Sequence, residues 1–473
     1  MGLGNVFQTG RTGMMAAKAA ISTTGHNIAN ANTDGYSRQR VLTETNPNLA
    51  TQGSKAVVGS GTQVSRIERI NDEYLEKQVR NAGKDLSHME EKEMSLKQVE
   101  DIFNEMGGEG LNRLVARFFN EFRQLSNEPS NEAVRQSVRE SSQAMVNDFK
   151  RLRREVEDVR RHVDSRIEGY TREVNAVAED IRDLNQRIAI AELGGASAND
   201  LQDKRDEALK KLGSFMDLAM HKDNHGNFTV DIKGVGPLVV GPQTEKFSVF
   251  RTPADDEGKP ENALDIHSSS SASAVVTHRL QGGKLGALLE VRDKTISTII
   301  EKLDDLAHSL TQSVNEIHRQ GYSREGVQGM NFFKPLVGKQ FASEVLDLSE
   351  EVKANVNNIA AAALPDAPGD NRVAIAISGL QNQLFMNNGK ATFDDWYNSI
   401  VSDVGIVANR NRSALNQQRD IVTQLGKMRD QISGVSIDEE TANLMQFQHV
   451  FDASAKVIQV ADEMLGTILE LRR

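Results

Sequence analysis

Between Met145 and Ile188 an apolar residue returns every three or four positions, through Phe149, Leu152, Val156, Val159, Val163, Ile167, Tyr170, Val174, Val177, Ile181 and Leu184. A strand needs a period of two, so this stripe belongs to a helix. Pro129 followed by Ser130-Asn131-Glu132 supplies start signals and Gly194-Gly195 a stop, so the spacing predicts one helix over residues 131–192. Roughly 60 residues at a rise of about 1.5 Å each span about 90 Å, more than a small domain can enclose. The chain is therefore expected to be elongated and mainly α. Val159, Val163 and Ile167 follow at successive spacings of four, a stutter that locally unwinds a supercoil.

Both ends of the chain carry a related pattern with a period of seven. Phe7, Met14, Ile21 and Ile28 repeat on one position near the N-terminus, with Leu3, Gly10, Ala17 and Thr24 on its companion. Near the C-terminus Ile437, Leu444, Phe451, Ile458 and Leu465 share one position, and Phe447, Ala461 and Ile468 the other. Such repeats are coiled-coil seams. Asn30-Ala31-Asn32-Thr33-Asp34-Gly35 ends the first helix with residues that favour caps and turns, and Ser436 to Glu439 opens the last one as a capping box.

An apolar helical stripe is ordinarily core. Here the stripes sit at the two extremes, set off by the polar junction 30–46 and by Gly434, which points to a separate terminal arm. A helix pair of about 40 residues buries too little surface to stand alone, so the ends are expected to become rigid against neighbouring copies. The pattern suggests a protein that polymerises. It leaves open whether the helices pair within one subunit, between subunits, or both.

The elements between are nested. Residues 36–46 read as extended, and Lys55 to Val64 as a glycine-broken hairpin. Residues 71–103 are helical, Gly107, Gly108 and Gly110 break the chain, and Leu111, Leu114, Val115, Phe118, Phe119 and Phe122 then share one helix face. A turn at 194–200 leads to a helix ending near Gly213. The alternation Asn227-Phe228-Thr229-Val230-Asp231-Ile232 marks a small inserted β domain, with a linker at Ser268 to Ser271. Helices resume over 285–320, 377–386 and 393–432, with 321–371 mixed. The expected domains are 1–45 with 435–473 as a terminal coiled coil, 46–214 with 281–434 as a helical-bundle body with short hairpins, and 215–280 as the β insert.

Chemistry is sparse. With 56 basic and 67 acidic residues the formal net charge is −11, which disfavours a nucleic-acid-binding surface. The chain has no cysteine, which excludes disulfides and thiolate chemistry. No apolar run is long enough to span a membrane, Arg11 and Lys18 interrupt any secretory leader, and Val6 stands where a myristoylation motif needs Ser or Thr. His221 and His225 bracket Asp223, but the Gly226 turn beside them and the lack of a third ligand argue against a metal. Asp255-Asp256-Glu257 reads as a solvated loop between Pro253 and Gly258. Neither Gly59-Ser60-Gly61 nor Gly234-Val235-Gly236 completes a phosphate cradle, and no serine lies in a nucleophile elbow. No cofactor and no enzymatic activity are expected.

The run Asn27-Ile28-Ala29-Asn30-Ala31-Asn32-Thr33-Asp34-Gly35-Tyr36-Ser37-Arg38-Gln39 closely resembles the N-terminal motif of the flagellar rod, hook and hook-associated axial proteins. Ser436-Ile437-Asp438-Glu439-Glu440-Thr441-Ala442-Asn443-Leu444-Met445-Gln446-Phe447-Gln448, with Ala453-Ser454-Ala455-Lys456, is similar to the hook-associated members more than to the hook protein. Phe118-Phe119, Pro129, Asp203-Lys204-Arg205-Asp206 and Pro368-Gly369-Asp370-Asn371 extend the resemblance through the body. Asp34 departs from a frequent proline and Val450 from a frequent alanine.

The resemblance implies an inner tube of terminal helices, a surrounding helical body and an outward β domain. It implies a junction subunit between hook and filament, in a ring of roughly eleven copies with heterologous contacts. Its partners would be the hook protein, the next hook-associated junction protein, the flagellar type III export apparatus and a cytoplasmic export chaperone on the C-terminal helix. The protein would end outside the cell, in the flagellum, without membrane insertion. The assembly residues implied are Leu3, Phe7, Met14, Ile21, Ile28, Asn30, Asn32, Thr33, Gly35 and Tyr36, with Ile437, Leu444, Phe447, Phe451, Ile458, Ala461, Leu465 and Ile468. The alternatives are a hook or distal-rod subunit, or an axial protein with an enzymatic β insert. About 65 residues without a metal-ligand cluster make a poor enzyme.

Overall fold

The structure, a computed structural model, describes residues 3–46, 59–103, 110–194, 197–222, 228–252, 263–269, 275–367 and 369–470. Lys55 to Val58, Gly107, Gly108, Gly195, Asp223, His225, Asp255-Asp256-Glu257, Ser270-Ser271 and Pro368 lie outside the described residues. The fold is mainly α with small antiparallel sheets. Contacts divide the chain into two compact units, one of Met1–Ser87, Thr171–Gly283 and Gln417–Arg473, the other of His88–Tyr170 and Lys284–Asn416.

The helices are α1 (Leu3–Ala29), α2 (Glu73–Phe103), α3 (Leu111–Asn127), α4 (Glu132–Leu193), α5 (Asn199–Phe215), α6 (Gly283–Glu290), α7 (Ser297–Gln320), α8 (Ala342–Val345), α9 (Glu350–Ala354), α10 (Arg372–Gly379), α11 (Phe393–Ser433) and α12 (Ile437–Glu470). The strands are β1 (Gln39–Thr45), β2 (Thr62–Arg69), β3 (Leu218–Lys222), β4 (Phe228–Ile232), β5 (Gly236–Val240), β6 (Gln243–Thr244), β7 (Phe247–Thr252) and β8 (Ala263–Ser268). Among the described residues no helix is long and apolar enough to cross a membrane.

In the first unit β1 pairs with β2, Gln39 opposite Arg69 and Val41 opposite Ile67, with a register shift after Leu42. Of the hairpin expected over Lys55 to Val64, Lys55 to Val58 lie outside the described residues, and Thr62 to Val64 belong to β2, which pairs with β1. The insert holds a meander in the order β3-β4-β5-β6 and a separate β7-β8 pair. Val230, Ile232, Leu238 and Val239 are buried in the meander, and Phe247, Leu264 and Ile266 in the β7-β8 pair. Ser268 closes the β7-β8 ladder opposite Phe247 and is buried, so the expected linker does not begin there.

Side-chain amides on α4 fasten the insert. Asn175 donates to the Phe247 carbonyl at 2.7 Å and accepts its N–H at 2.9 Å, standing in for a missing strand. Asn185 donates to the Phe228 carbonyl at 3.1 Å and accepts from Arg205, whose guanidinium lies 4.3 Å above the Phe228 ring. Gly283, with φ of +57°, begins α6 where a Cβ would lie 2.4 Å from the Phe215 carbonyl carbon, so the backbones meet there without a side chain.

The second unit is organised by the stripe on α4, where Met145, Phe149, Leu152, Val156, Val163 and Ile167 are all buried. Charged residues share that interior in pairs. Arg153 meets Asp304 on α7 at 3.1 Å, and Asp304 also accepts the N–H groups of Phe341 and Ser343 and the Ser343 hydroxyl. Between α6 and α7 the helix widens into a π segment, Val291–Ile296, which sends Arg292 to Asp164 at 3.1 Å. Ser297 donates to the Arg292 carbonyl, using an acceptor that the wider turn leaves over. The helix expected over 377–386 instead starts at Arg372 and ends at Gly379, followed by a 3-10 turn, Leu380–Asn382. Asp370 sets the earlier start by accepting the Arg372 N–H, and Gly379 weakens continuation.

His318, near the end of α7, is fully buried. Its Nδ1 lies 2.8 Å from the Met330 carbonyl and its Nε2 accepts the Ala360 N–H at 2.8 Å, so the ring is neutral with the proton on Nδ1. Burial, with the nearby Arg135 charge, pulls its pKa down to about 4. The unfolded chain therefore takes up a proton below about pH 6.5 that the folded chain refuses until about pH 4, and stability falls as pH falls through that window. Urea unfolding followed at Trp396, the only tryptophan, should show a loss of about 2 kcal/mol between pH 7 and pH 5 that His318→Gln removes.

Candidate functional site at the paired chain ends

α1 and α12 pack on each other and run antiparallel, since Gly10 lies beside Ile458 and Asn27 meets Glu440. Both helices are thus formed and paired within one chain. The face that α1 buries is the small-residue row Gly10, Ala17, Ala20, Thr24 and Asn27, not the bulky one. Phe7 is 41% exposed, and Met14, Ile21 and Ile28 are half-buried on the flank. Close approach is the reason. A Cβ on Gly10 would lie 2.7 Å from Ile458 Cγ1 and 3.2 Å from the Ser454 carbonyl, and one on Gly13 2.9 Å from Ser454 Oγ. Large side chains cannot occupy those α1 positions.

On α12 the row Glu440, Leu444, Phe447, Phe451, Ile458 and Ala461 is buried or half-buried, with Glu440 and Ala461 the two fully buried members. Ile437, Leu465 and Ile468 are exposed in the single chain. So is a second apolar row, Val450, Val457, Val460 and Met464. The Ser436 hydroxyl caps α12 by accepting the Glu439 N–H at 3.4 Å.

A polar knot closes the open end of this pair. Asn27 is 1% exposed and makes every hydrogen bond an amide can make. Its Oδ1 accepts the Gln39 N–H at 3.0 Å and the Tyr36 hydroxyl at 2.8 Å, and its Nδ2 donates to the Gln39 carbonyl and to Glu440, both at 2.9 Å. The Glu440 carboxylate, 2% exposed, also accepts from Arg38 Nε at 2.8 Å, while Arg38 reaches Glu439 with its Nη1. The Arg38 N–H binds the Ser433 carbonyl at the end of α11. One carboxylate thereby ties α1, the segment after it and α12.

The turn after α1 is built by its own residues. Asn30 caps the helix by donating to the His26 carbonyl at 3.0 Å, and Thr33 donates to Asn30 Oδ1. Gly35 adopts φ of +79°, where a Cβ would lie 3.2 Å from Glu207, and Asn32 is exposed. Beyond the turn, Asp203 on α5 accepts the Ser37 N–H, and Arg69 bridges Asp203 and Asp206 at 2.7 and 2.8 Å. Gln39 spans Asp200 and Asn199. Burial holds the Asp203 carboxyl above its usual range despite Arg69, and burial with the nearby carboxylates raises the Tyr36 phenol.

Asn27, Arg38, Gln39, Asp203 and Glu440 were not among the assembly residues expected from sequence. All five lie within the runs that carry the resemblance, and Glu440 also falls on the seam spacing between Ile437 and Leu444, where a charge must have a buried partner. The knot is a mechanical latch with no nucleophile or base pair in it. Among the described residues no group of His, Asp and Glu side chains could hold a metal ion.

Comparisons agree with these features. Residues 96–333 match the family model described as the flagellar hook-associated protein FlgK helical domain. Residues 7–36 match the flagella basal body rod protein model and 430–471 the flagellar basal body rod FlgEFG protein C-terminal model, the two segments that the latch joins. Flagellar hook-associated protein 1 of Bacillus subtilis is 29% identical, covering 98% of this chain and 97% of its own. That of Salmonella typhimurium is 24% identical, covering 98% of each. The solved structure of the flagellar hook junction protein FlgK from Burkholderia pseudomallei shares the fold, with a TM-score of 0.66 at 17% identity over 75% of this chain and all of that one.

Proposed function

The chain belongs to the flagellar hook-associated protein FlgK family, and from that premise we propose that it is a structural, non-catalytic subunit of the bacterial flagellum joining hook to filament. In this reading the terminal pair polymerises. Successive copies follow one another by heterologous contacts around a ring of roughly eleven, between the hook protein and the next hook-associated junction protein. The observation that carries the reading is the row Val450, Val457, Val460 and Met464, left exposed on a helix whose other face is already packed and latched. A soluble chain does not keep such a row bare without a partner.

The same row gives a physical reason for two further parts of the proposal. Before assembly it would aggregate, so a cytoplasmic export chaperone covers α12 as a helix-in-groove partner. Export then runs through the flagellar type III apparatus, and the assembled subunit lies outside the cell. The residues proposed for assembly are those named from the sequence on both helices, joined by Asn27, Arg38 and Glu440, which set the pair's geometry.

Phe451→Asp tests the role of α12. It puts a charge on the half-buried seam at a cost of more than about 2 kcal/mol wherever assembly dries that seam. The purified variant should keep its Trp396 fluorescence and yet be absent from junctions in isolated hook-basal bodies. Normal incorporation would remove α12 from the polymerising surface.

A further inference from the structure

Arg135, in the first turn of α4, is only 2% exposed, yet among the described residues its guanidinium meets no carboxylate. Its Nε and Nη2 donate to the Pro129 carbonyl at 3.1 and 2.7 Å, and its Nη1 donates to the Ile359 carbonyl. Backbone carbonyls satisfy the donors but carry no net charge to offset the lost hydration of a cation. The charge that does act on Arg135 has the same sign: it is Arg324, and burial together with that repulsion pulls the guanidinium down to about 10. Arg135 in turn bears on His318, whose imidazole accepts the N–H of Ala360, the residue after Ile359. Arg135 is thus a buried cation with no carboxylate beside it among the described residues, while its neighbour Arg324 has Glu132 at 3.5 Å.

Arg135 and Arg324 line the same pocket, of about 230 Å³, with Tyr322 and Ser323. Asp366 and Asp370 also line it. Asp370 is already committed, accepting from the Arg372 guanidinium at 3.0 and 2.9 Å and from the Ala363 N–H at 2.8 Å. Arg324 holds its place with weaker contacts, to Asn357 Oδ1 at 3.2 Å and Glu132 at 3.5 Å, which leave it free to turn toward an incoming anion. The pocket is large enough for one small oxyanion with part of its hydration.

We propose that this pocket is an oxyanion site, in which Arg135 and Arg324 receive a single carboxylate or phosphate group. Two sources offer that chemistry. One is a free inorganic anion; the other is an Asp or Glu side chain from an adjoining copy in the junction, which rests on the function proposed above. A neighbour's side chain arrives at high effective concentration and needs little intrinsic affinity, whereas a free ion must bind tightly by itself.

The test is calorimetric titration of sodium phosphate, and separately sodium acetate, into the full chain at fixed ionic strength. Arg324→Gln is the test variant because Arg324 is exposed, and Trp396 fluorescence is to be checked against the parent for an intact fold. Saturable binding weakened about tenfold or more by Arg324→Gln supports the site. Submillimolar affinity for phosphate identifies the free ion. Millimolar affinity for both anions, with Arg324→Gln also depleted from junctions, identifies the neighbour's side chain. Heats that do not saturate, or equal binding by Arg324→Gln and the parent, overturn the proposal. The titration uses the isolated chain, so it succeeds or fails independently of the junction assignment.

Discussion

Glu440→Lys should unfasten the chain ends and leave cells without hook-attached filaments. The substitution deletes the acceptor for Arg38 Nε and Asn27 Nδ2 and sets an ammonium against the Arg38 guanidinium in a site 2% exposed. Removing one partner of a buried pair costs about 3–5 kcal/mol, because the remaining charge is stranded. Asn27 then loses one of its four bonds, and the pairing of α1 with α12 loses the clamp at its open end. Hydrogen exchange should report it directly: amides at 14–29 and 440–455 are expected to exchange about a hundredfold faster or more, while those of α3 and α7 stay protected. Glu440→Gln keeps the shape and one acceptor and should fall between. If Glu440→Lys exchanges like the parent, the latch does not hold the helices together.

Phe118→Ala should produce the largest loss of stability in the second unit. The ring is fully buried, with Phe119 and Phe122 at 5.0 and 5.1 Å and Phe332 and Phe333 both at 5.9 Å between centroids. Phe332 in turn stacks edge-on to His318 at 5.4 Å, so the cluster fixes the segment after α7 as well as α3. Truncating a ring in such a site costs about 3–5 kcal/mol from lost transfer energy and the cavity left behind. Trp396 reports on it, since its indole N–H donates to the Lys302 carbonyl in the same unit. A loss of unfolding free energy below about 1 kcal/mol would mean that the aromatic cluster is not the core of that unit.

The helical layout was legible because its signal is periodic and local. The stripe on α4, the face of α3 and the capping box before α12 all lie where the spacing put them. The π segment at Val291–Ile296 left no mark on the apolar period, which a single wide turn barely disturbs. The β1-β2 pairing joins strands across a long connection, and local alternation cannot say which strand is a partner.

At the chain ends the sequence showed both heptad positions on α1 as seam and could not say which of the two is buried. The companion row Gly10, Ala17 and Thr24 is the one that buries, because small residues let two helices approach closely, and the bulky row stays on the flank. The latch was the least visible part. Asn27, Arg38 and Asp203 lie in the runs that carry the resemblance, but no local pattern says that Asn27 meets Glu440, 413 positions away. Burial then makes their hydrogen bonds obligatory.

The central claim is that this chain forms the hook-filament junction. Deleting its gene, imaging the cells by electron microscopy and assaying flagellin in the medium tests it most directly. The account predicts bare hooks of normal shape, with flagellin shed into the medium. Filaments of normal length on the hooks of the deletion strain would contradict it, and missing hooks would assign the chain to the rod or hook instead.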